Sequence, residues 1–317
     1  MVPQDPRFPA PFLPQGMPQV PGGMRSGPLP PGGLMPGRMP EMPQGPMFHP
    51  GIPLPNGTLL ADRFEISDML FEGRCGFIYV TRDRKAQGAM RLVKTFDPRR
   101  GDGKDEDLFR RESSILMSLD HPRIPKGYGI LDHDGMLCAP QAYTPGEELA
   151  RYLHTRGKLP EAEVVAIMEQ LLDILAYCHE RKPSVLHRDL KPENLLRDQE
   201  GTLFLVDFGS ASDRHQDKQR VPLENLTTMQ TLGYAAPEQV YGLEAYPASD
   251  LYAVGAMAVH LLTGKHPIYL YDGMTGRLEW EAPVSEHLRR WIESMLEIPV
   301  ARRLQNAREA LRRLKRE

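Results

Sequence analysis

The sequence predicts an α+β fold: a small strand-rich unit, then a larger and mainly helical one, with a cleft between them. Three observations lead there. Residues 1–57 are set apart by composition. Short apolar runs of strand character crowd into residues 63–143. From Pro160 onward, apolar residues recur at helical spacing.

The first segment holds most of the 31 prolines, with many glycines and methionines, as in PGGMRSGPLPPGGLMPGRMPEMPQGP. Proline fixes φ and removes backbone donors, while glycine raises the entropic cost of ordering. Residues 1–57 therefore read as a disordered tail of polyproline-II character. Its plain role is a spacer; its functional alternative is a docking segment for a proline-recognising partner. Ordered structure is expected from about Gly57.

RFEISDML (Arg63–Leu70), FIYVTRD (Phe77–Asp83) and AMRLVKTF (Ala89–Phe96) read as three strands. DEDLFRRESSILMSL reads as a helix over Asp105–Leu119, with Leu108, Ile115, Leu116 and Leu119 on one side. GYGILDHDGMLCAPQAY suggests two strands about a turn at His133–Gly135. EAEVVAIMEQLLDILAYCHE aligns Val164, Met168, Leu171, Leu172 and Leu175 on one helical face. Leu195-Leu196 and Leu203–Val206 flank a polar RDQEGT turn, as in a hairpin. LYAVGAMAVHLLTG, from Leu251, is too short for a bilayer and contains His260, so it reads as a buried helix. The basic end, ARRLQNAREALRRLKRE, repeats Ala307, Leu311 and Leu314 at helical spacing. It reads as an amphipathic helix with a solvated charged face rather than a nucleic-acid arm.

The chain has 317 residues and a net charge of −3, which gives no basis for bulk nucleic-acid binding. Cys75, Cys138 and Cys178 are odd in number and lack metal-ligand spacing. A reducing cytoplasm suits them. No membrane span and no signal peptide are expected.

The chemistry concentrates in HRDLKPEN (His187–Asn194) and DFG (Asp207–Gly209). Asp189 can accept a proton from a hydroxyl. Lys191, two residues on, can steady a phosphate in flight. Asn194 and Asp207 offer oxygen ligands for a metal, and the hairpin between them would carry both to one edge of a cleft.

These two motifs, in order, resemble the catalytic segment of the eukaryotic-type (Hanks-type) serine/threonine protein kinases. The resemblance runs from about Gly57 to the C-terminus, and the compact layout is compatible with a bacterial member. It implies a bilobal kinase domain over 58–317: an N-lobe to about 141, a hinge at about 142–145 and a C-lobe beyond. It also implies ATP and magnesium as cofactors, manganese being an alternative, and proteins with serine or threonine hydroxyls as substrates. Lys191 and Thr231 favour that substrate class over tyrosine. The rival classes are a pseudokinase scaffold and a small-molecule phosphotransferase on the same architecture.

Further assignments follow from the resemblance. FEGRCG (Phe71–Gly76) occupies the place of the glycine-rich phosphate loop, with Phe71 instead of the first glycine, Gly73 and Gly76 retained, and Cys75 near the tip. Leu70 and Ile78 flank the nucleotide. Lys94 contacts the α- and β-phosphates and pairs with Glu112 on the following helix. Gln141, Ala142 and Tyr143 form the hinge, with Gln141 at the back of the pocket. Metal ligands are Asn194 and Asp207. Glu238, in APE, forms a buried ion pair with Arg302, its neighbour Arg303 being the second choice. Asp250 hydrogen-bonds the catalytic-loop backbone. Thr227 is the expected activating phosphosite, with Thr228 second and Thr231 contacting Asp189 and Lys191. Arg188 would receive the phosphate, while Ser212 stands where a second basic residue is usual.

Overall fold

A computed structural model of the protein describes residues 51–213 and 233–316. The N-terminal part is a six-stranded antiparallel sheet in the order β1-β2-β3-β4-β6-β5. Its strands are β1 (Leu59–Leu60), β2 (Phe64–Glu72), β3 (Phe77–Asp83), β4 (Ala89–Phe96), β5 (Leu131–His133) and β6 (Met136–Ala142). Leu60, Phe64, Ile66, Phe77, Tyr79, Val93 and Cys138 form its core.

Ordered packing begins before the expected boundary at Gly57. Leu54 packs on that core, and its amide donates to the Tyr79 hydroxyl at 2.9 Å. Gly57 N donates to Ile66 O at 2.8 Å. Residues 54–57 thus belong with the sheet. Their proline-rich composition hides a single apolar anchor. Residues 1–50 of the expected tail lie outside the described residues. Removing residues 1–50 should leave the unfolding midpoint unchanged, whereas removing residues 1–57 should lower it by ~2–3 kcal/mol equivalent through loss of Leu54. Urea denaturation of the two truncations checks this.

Between β4 and β5 lies α1 (Gly103–Ser118). Asp102 caps it, accepting from Lys104 N and Asp105 N at 2.9 and 3.0 Å, while Asp105 Oδ2 accepts from Asp102 N at 3.1 Å. This reciprocal box satisfies donors that a helix start otherwise leaves open. Ile115 and Leu116 turn inward to join the larger, C-terminal core.

That core is built from α2 (Leu149–Arg156), α3 (Glu161–Glu180), α4 (Pro237–Val240), α5 (Pro247–Thr263), α6 (Glu286–Met295) and α7 (Ala307–Leu314). The hydrophobic α5 is enclosed on nearly every side, as an all-round apolar helix must be. Two small sheets sit beside the helices. β7 (Glu147–Glu148) pairs with β9 (Leu195–Arg197), which pairs with β10 (Leu203–Leu205). β8 (Val185–Leu186) pairs with β11 (Ser212–Asp213). The strand-rich N-lobe and helical C-lobe are those of the expected α+β bilobal fold.

One half-buried group in the C-lobe should register in its acid stability. His260, on α5, lies 2.5 Å by Nδ1 from the Tyr234 hydroxyl. Burial, with the nearby His266, holds its pKa down from 6.5 to about 4. The unfolded chain therefore binds more protons between these values, and stability falls as pH drops through that window. By pH 4 the loss from His260 alone should reach roughly 3 kcal/mol. His260→Gln should flatten this slope in urea titrations run at pH 7 and pH 4.

Candidate active site

The segment after β8 turns sharply: Arg188 has φ +69°. A non-glycine residue in that region needs support from its surroundings. Asp250, near the start of α5, supplies it. Its Oδ2 accepts from His187 N at 3.0 Å and its Oδ1 from Arg188 N at 2.8 Å. His179 Nε2 on α3 lies 2.9 Å from the same carboxylate. Burial works against the charge of Asp250, but His179 and these amides hold its pKa below the usual carboxylate range. The part of His179 was not expected. Its only sequence signal was a histidine on the otherwise apolar end of α3.

Past this turn, Lys191 Nζ lies 2.9 Å from Asp189 Oδ2. Asn194 Nδ2 donates to Asp189 O at 2.7 Å and to Asp189 Oδ2 at 3.2 Å. Both side-chain contacts fall on one oxygen. Asp189 Oδ1 is buried and has no hydrogen-bond partner among the described residues. An acceptor so placed is ready for a hydroxyl donor.

The β9–β10 hairpin joins this loop to DFG. Leu195 stands opposite Leu205, and Val206 N donates to Asn194 O at 2.9 Å. His187 Nε2 lies 3.3 Å from Val206 O, and its ring meets Phe208 edge-on at 4.9 Å. Asp207 follows with φ +61°. Its Oδ1 accepts from Lys94 Nζ at 3.1 Å and from Gly209 N at 3.3 Å.

Lys94, on β4, also pairs with Glu112 on α1. Lys94 is thus held between two carboxylates, one from each lobe. The charge of Lys94 holds Asp207 down to about 2. Burial opposes the lysine's own charge, but Glu112 and Asp207 raise its pKa above the usual lysine value. Glu112 is the more enclosed acid, and burial raises it. Asp207 therefore carries the firmer negative charge of the two.

The expected nucleotide face is also a sheet row. Phe71, Ile78, Lys94 and Ala139 are successive cross-strand partners, and such partners project to the same face. Phe71 is 61% exposed on that face. Leu70, also exposed, falls at an irregularity in register between Met69 and Phe71. Gly73 N donates to Gly76 O at 2.8 Å, closing the turn. A Cβ on Gly76 would lie 2.0 Å from Thr95 O, so no other residue fits there. Gln141 is buried and lines a small cavity with Lys94 and Glu112. The Ala142 amide donates to Lys126 O at 2.8 Å, so that hinge donor is already used. Tyr143 is exposed at the end of β6.

One assignment is corrected. The partner of Glu238 is Arg303, not Arg302. Arg303 Nη1 and Nη2 donate to Glu238 Oε1 and Oε2 at 2.7 and 3.1 Å. The short 3-10 turn Val300–Arg302 leaves Arg302 exposed and delivers the next residue inward. Ser249 Oγ completes the pair by donating to Glu238 Oε1 at 2.5 Å. Ser212 is buried in β11 and brings no charge to the site. Thr227, Thr228 and Thr231 lie outside the described residues.

Comparison with known proteins agrees with this architecture. The family model for the protein kinase domain matches residues 64–313. Serine/threonine-protein kinase F of Synechocystis sp. is 33% identical over 260 residues, covering 75% of this chain and 52% of that protein. Serine/threonine-protein kinase B of the same organism is 31% identical over 275 residues, covering 81% and 47%. Aurora kinase B of Xenopus tropicalis is 33% identical over 214 residues, covering 68% and 57%. The chain spans about half the length of the curated relatives it matches. With 250 residues matched in order, the chain belongs to the protein kinase family.

Proposed function

We propose that this protein is an ATP-dependent serine/threonine protein kinase. The observation that carries this reading is the state of Asp189: both contacts from Lys191 and Asn194 fall on Oδ2, and Oδ1 is left as a buried acceptor. A substrate serine or threonine hydroxyl donates to Oδ1, and Asp189 takes its proton as the oxygen attacks the γ-phosphorus and the bond to the β,γ-bridging oxygen breaks, with ADP as the leaving group. Lys191 fixes the carboxylate and lends positive charge beside the phosphate being transferred. Lys94, locked by Glu112, binds the α- and β-phosphates. Most of the rate gain comes from positioning and preorganised charge.

Protein kinases use ATP with a divalent metal. The residues here fit one: Asp207 is an ionised carboxylate, and Asn194, with its amide nitrogen engaged on Asp189, has its amide oxygen as ligand. Hard oxygen donors suit magnesium, with manganese as the alternative. When bound, the metal supplies charge neutralisation on the phosphates. Leu70, Phe71, Gly73, Gly76 and Ile78 cover the nucleotide, and Gln141, Ala142 and Tyr143 frame the adenine. Because Phe71 shares the Lys94 face, it crowds the phosphates. Phe71→Gly should lower the KM for ATP about twofold to fivefold, less than core overpacking costs because Phe71 is exposed. An unchanged or higher KM in steady-state assays would count against that.

Among the described residues, no helix is long and apolar enough to cross a membrane. Three free cysteines support a cytoplasmic location. Of the expected tail 1–57, the part ahead of Leu54 serves as a spacer, with a proline-recognising partner as the alternative. Thr227, then Thr228, is the autophosphorylation site, its phosphate held by Arg188. Peptide mapping of protein made with and without Asp189→Asn tests the phosphosite. The activity itself is tested by transfer of labelled γ-phosphate from ATP to a generic protein substrate. Folded protein that binds ATP but transfers nothing would favour a pseudokinase scaffold.

A further inference from the structure

The turn over residues 72–76 is tied to a segment outside its own hairpin. Arg100, in the connection from β4 to α1, donates from Nη2 to Glu72 Oε1 at 3.0 Å and to Gly73 O at 3.4 Å. Its guanidinium lies over the Phe77 ring, 5.1 Å from the centroid. In the same connection, Asp97 N donates to Cys75 O at 2.7 Å. Arg74, at the tip, pairs with Asp105 of the α1 cap, and Cys75 Sγ lies 3.6 Å from Asp105 Oδ2.

These ties differ in weight. Arg74 is 75% exposed, and an exposed pair contributes little. The Arg100 side chain is only 17% exposed and stacked on an aromatic ring, and its Nη2 donates to both the half-exposed Glu72 carboxylate and the Gly73 carbonyl. That combination is geometrically specific and suits arginine rather than lysine.

We infer that Arg100 is a positioning residue for nucleotide binding: it latches the phosphate loop, through Glu72 and Gly73, to the segment that leads into α1. This rests on the reading of residues 71–76 as the phosphate loop. Arg100 touches neither nucleotide nor substrate. It keeps the loop backbone down over the phosphates, where Phe71 replaces a glycine that would otherwise ease close approach. The same segment carries the Asp102 cap and, beyond it, Glu112, so loop and ion pair are set by one element.

The test uses the full chain. Affinity for a non-hydrolysable ATP analogue is measured by calorimetry, beside KM and kcat for transfer. Arg100→Ala should weaken analogue binding and raise the KM for ATP about fivefold or more, with kcat within about twofold of the parent, the split expected when only binding is lost. Arg100→Lys should recover part of the loss, and Glu72→Gln should reproduce a smaller one. Glu72→Arg combined with Arg100→Glu should bind better than the two single losses together predict. If Arg100→Ala does not fold, Glu72→Gln and the exchanged pair carry the test. Unchanged analogue affinity in these variants, or a fall in kcat with KM unaltered, overturns the latch while leaving kinase activity standing. A parent protein that transfers no phosphate but loses analogue affinity on Arg100→Ala keeps the latch and sinks the proposed activity. A parent that binds no analogue sinks both.

Discussion

Asp207→Asn should abolish phosphoryl transfer, lowering kcat by roughly a thousandfold or more, while the protein stays folded. Asp207 is the more firmly ionised of the two acids around Lys94, held down to about 2 by the lysine. The amide retains the shape and the contact with Gly209 but loses the charge. Lys94 keeps Glu112 as its counterion, so the lobes should not separate. Circular dichroism and the urea midpoint should match the parent, and labelled-phosphate transfer should not. Near-normal transfer by a folded Asp207→Asn protein at ordinary magnesium would remove this residue from the reaction.

Arg303→Ala should cost about 3–5 kcal/mol of stability, because it strands the buried Glu238 carboxylate. Arg303 also donates to Ala248 O at 2.9 Å, Glu297 O at 2.9 Å and Ile298 O at 3.2 Å, and lies over Tyr252. Its loss opens several backbone acceptors at once. Arg302→Ala, one residue earlier and exposed, should change stability by less than about 0.5 kcal/mol. Equilibrium unfolding of the two variants side by side separates them. Equal losses would show that the ion pair is not what holds this end of the C-lobe.

The same two arginines mark where the sequence stops being legible. APE near a C-terminal arginine announces the pair, but a 3-10 turn decides which of two adjacent side chains goes inward, and adjacent residues share every local signal. Composition and turn chemistry were enough for β3, β4 and the β9–β10 hairpin, since short runs rich in aliphatic, β-branched and aromatic residues lie between polar turns there. Asp189, Lys191, Asn194 and Asp207 were readable because each lies in one of two short contiguous motifs. The Lys94–Glu112 pair depended on resemblance, as nothing local joins a strand lysine to a helix glutamate. Leu54, His179 and Arg100 were missed for a common reason: each acts through a contact with a distant element, and its own neighbourhood is ordinary. The two-residue strands β1, β7, β8 and β11 are likewise fixed by their partners rather than by propensity.

Gly76 separates two kinds of necessity that a glycine pattern merges. Its missing Cβ makes room for the Thr95 carbonyl, a neighbour in the protein's own sheet. Gly73 has no such constraint, its nearest neighbour being the Gly76 carbonyl at 3.4 Å. A descendant of this chain that gave up ATP would be free to change Gly73 but would still have to keep Gly76 to close its hairpin. In this lineage, then, the first glycine to drift reports on chemistry, and the second reports only that the lobe still folds.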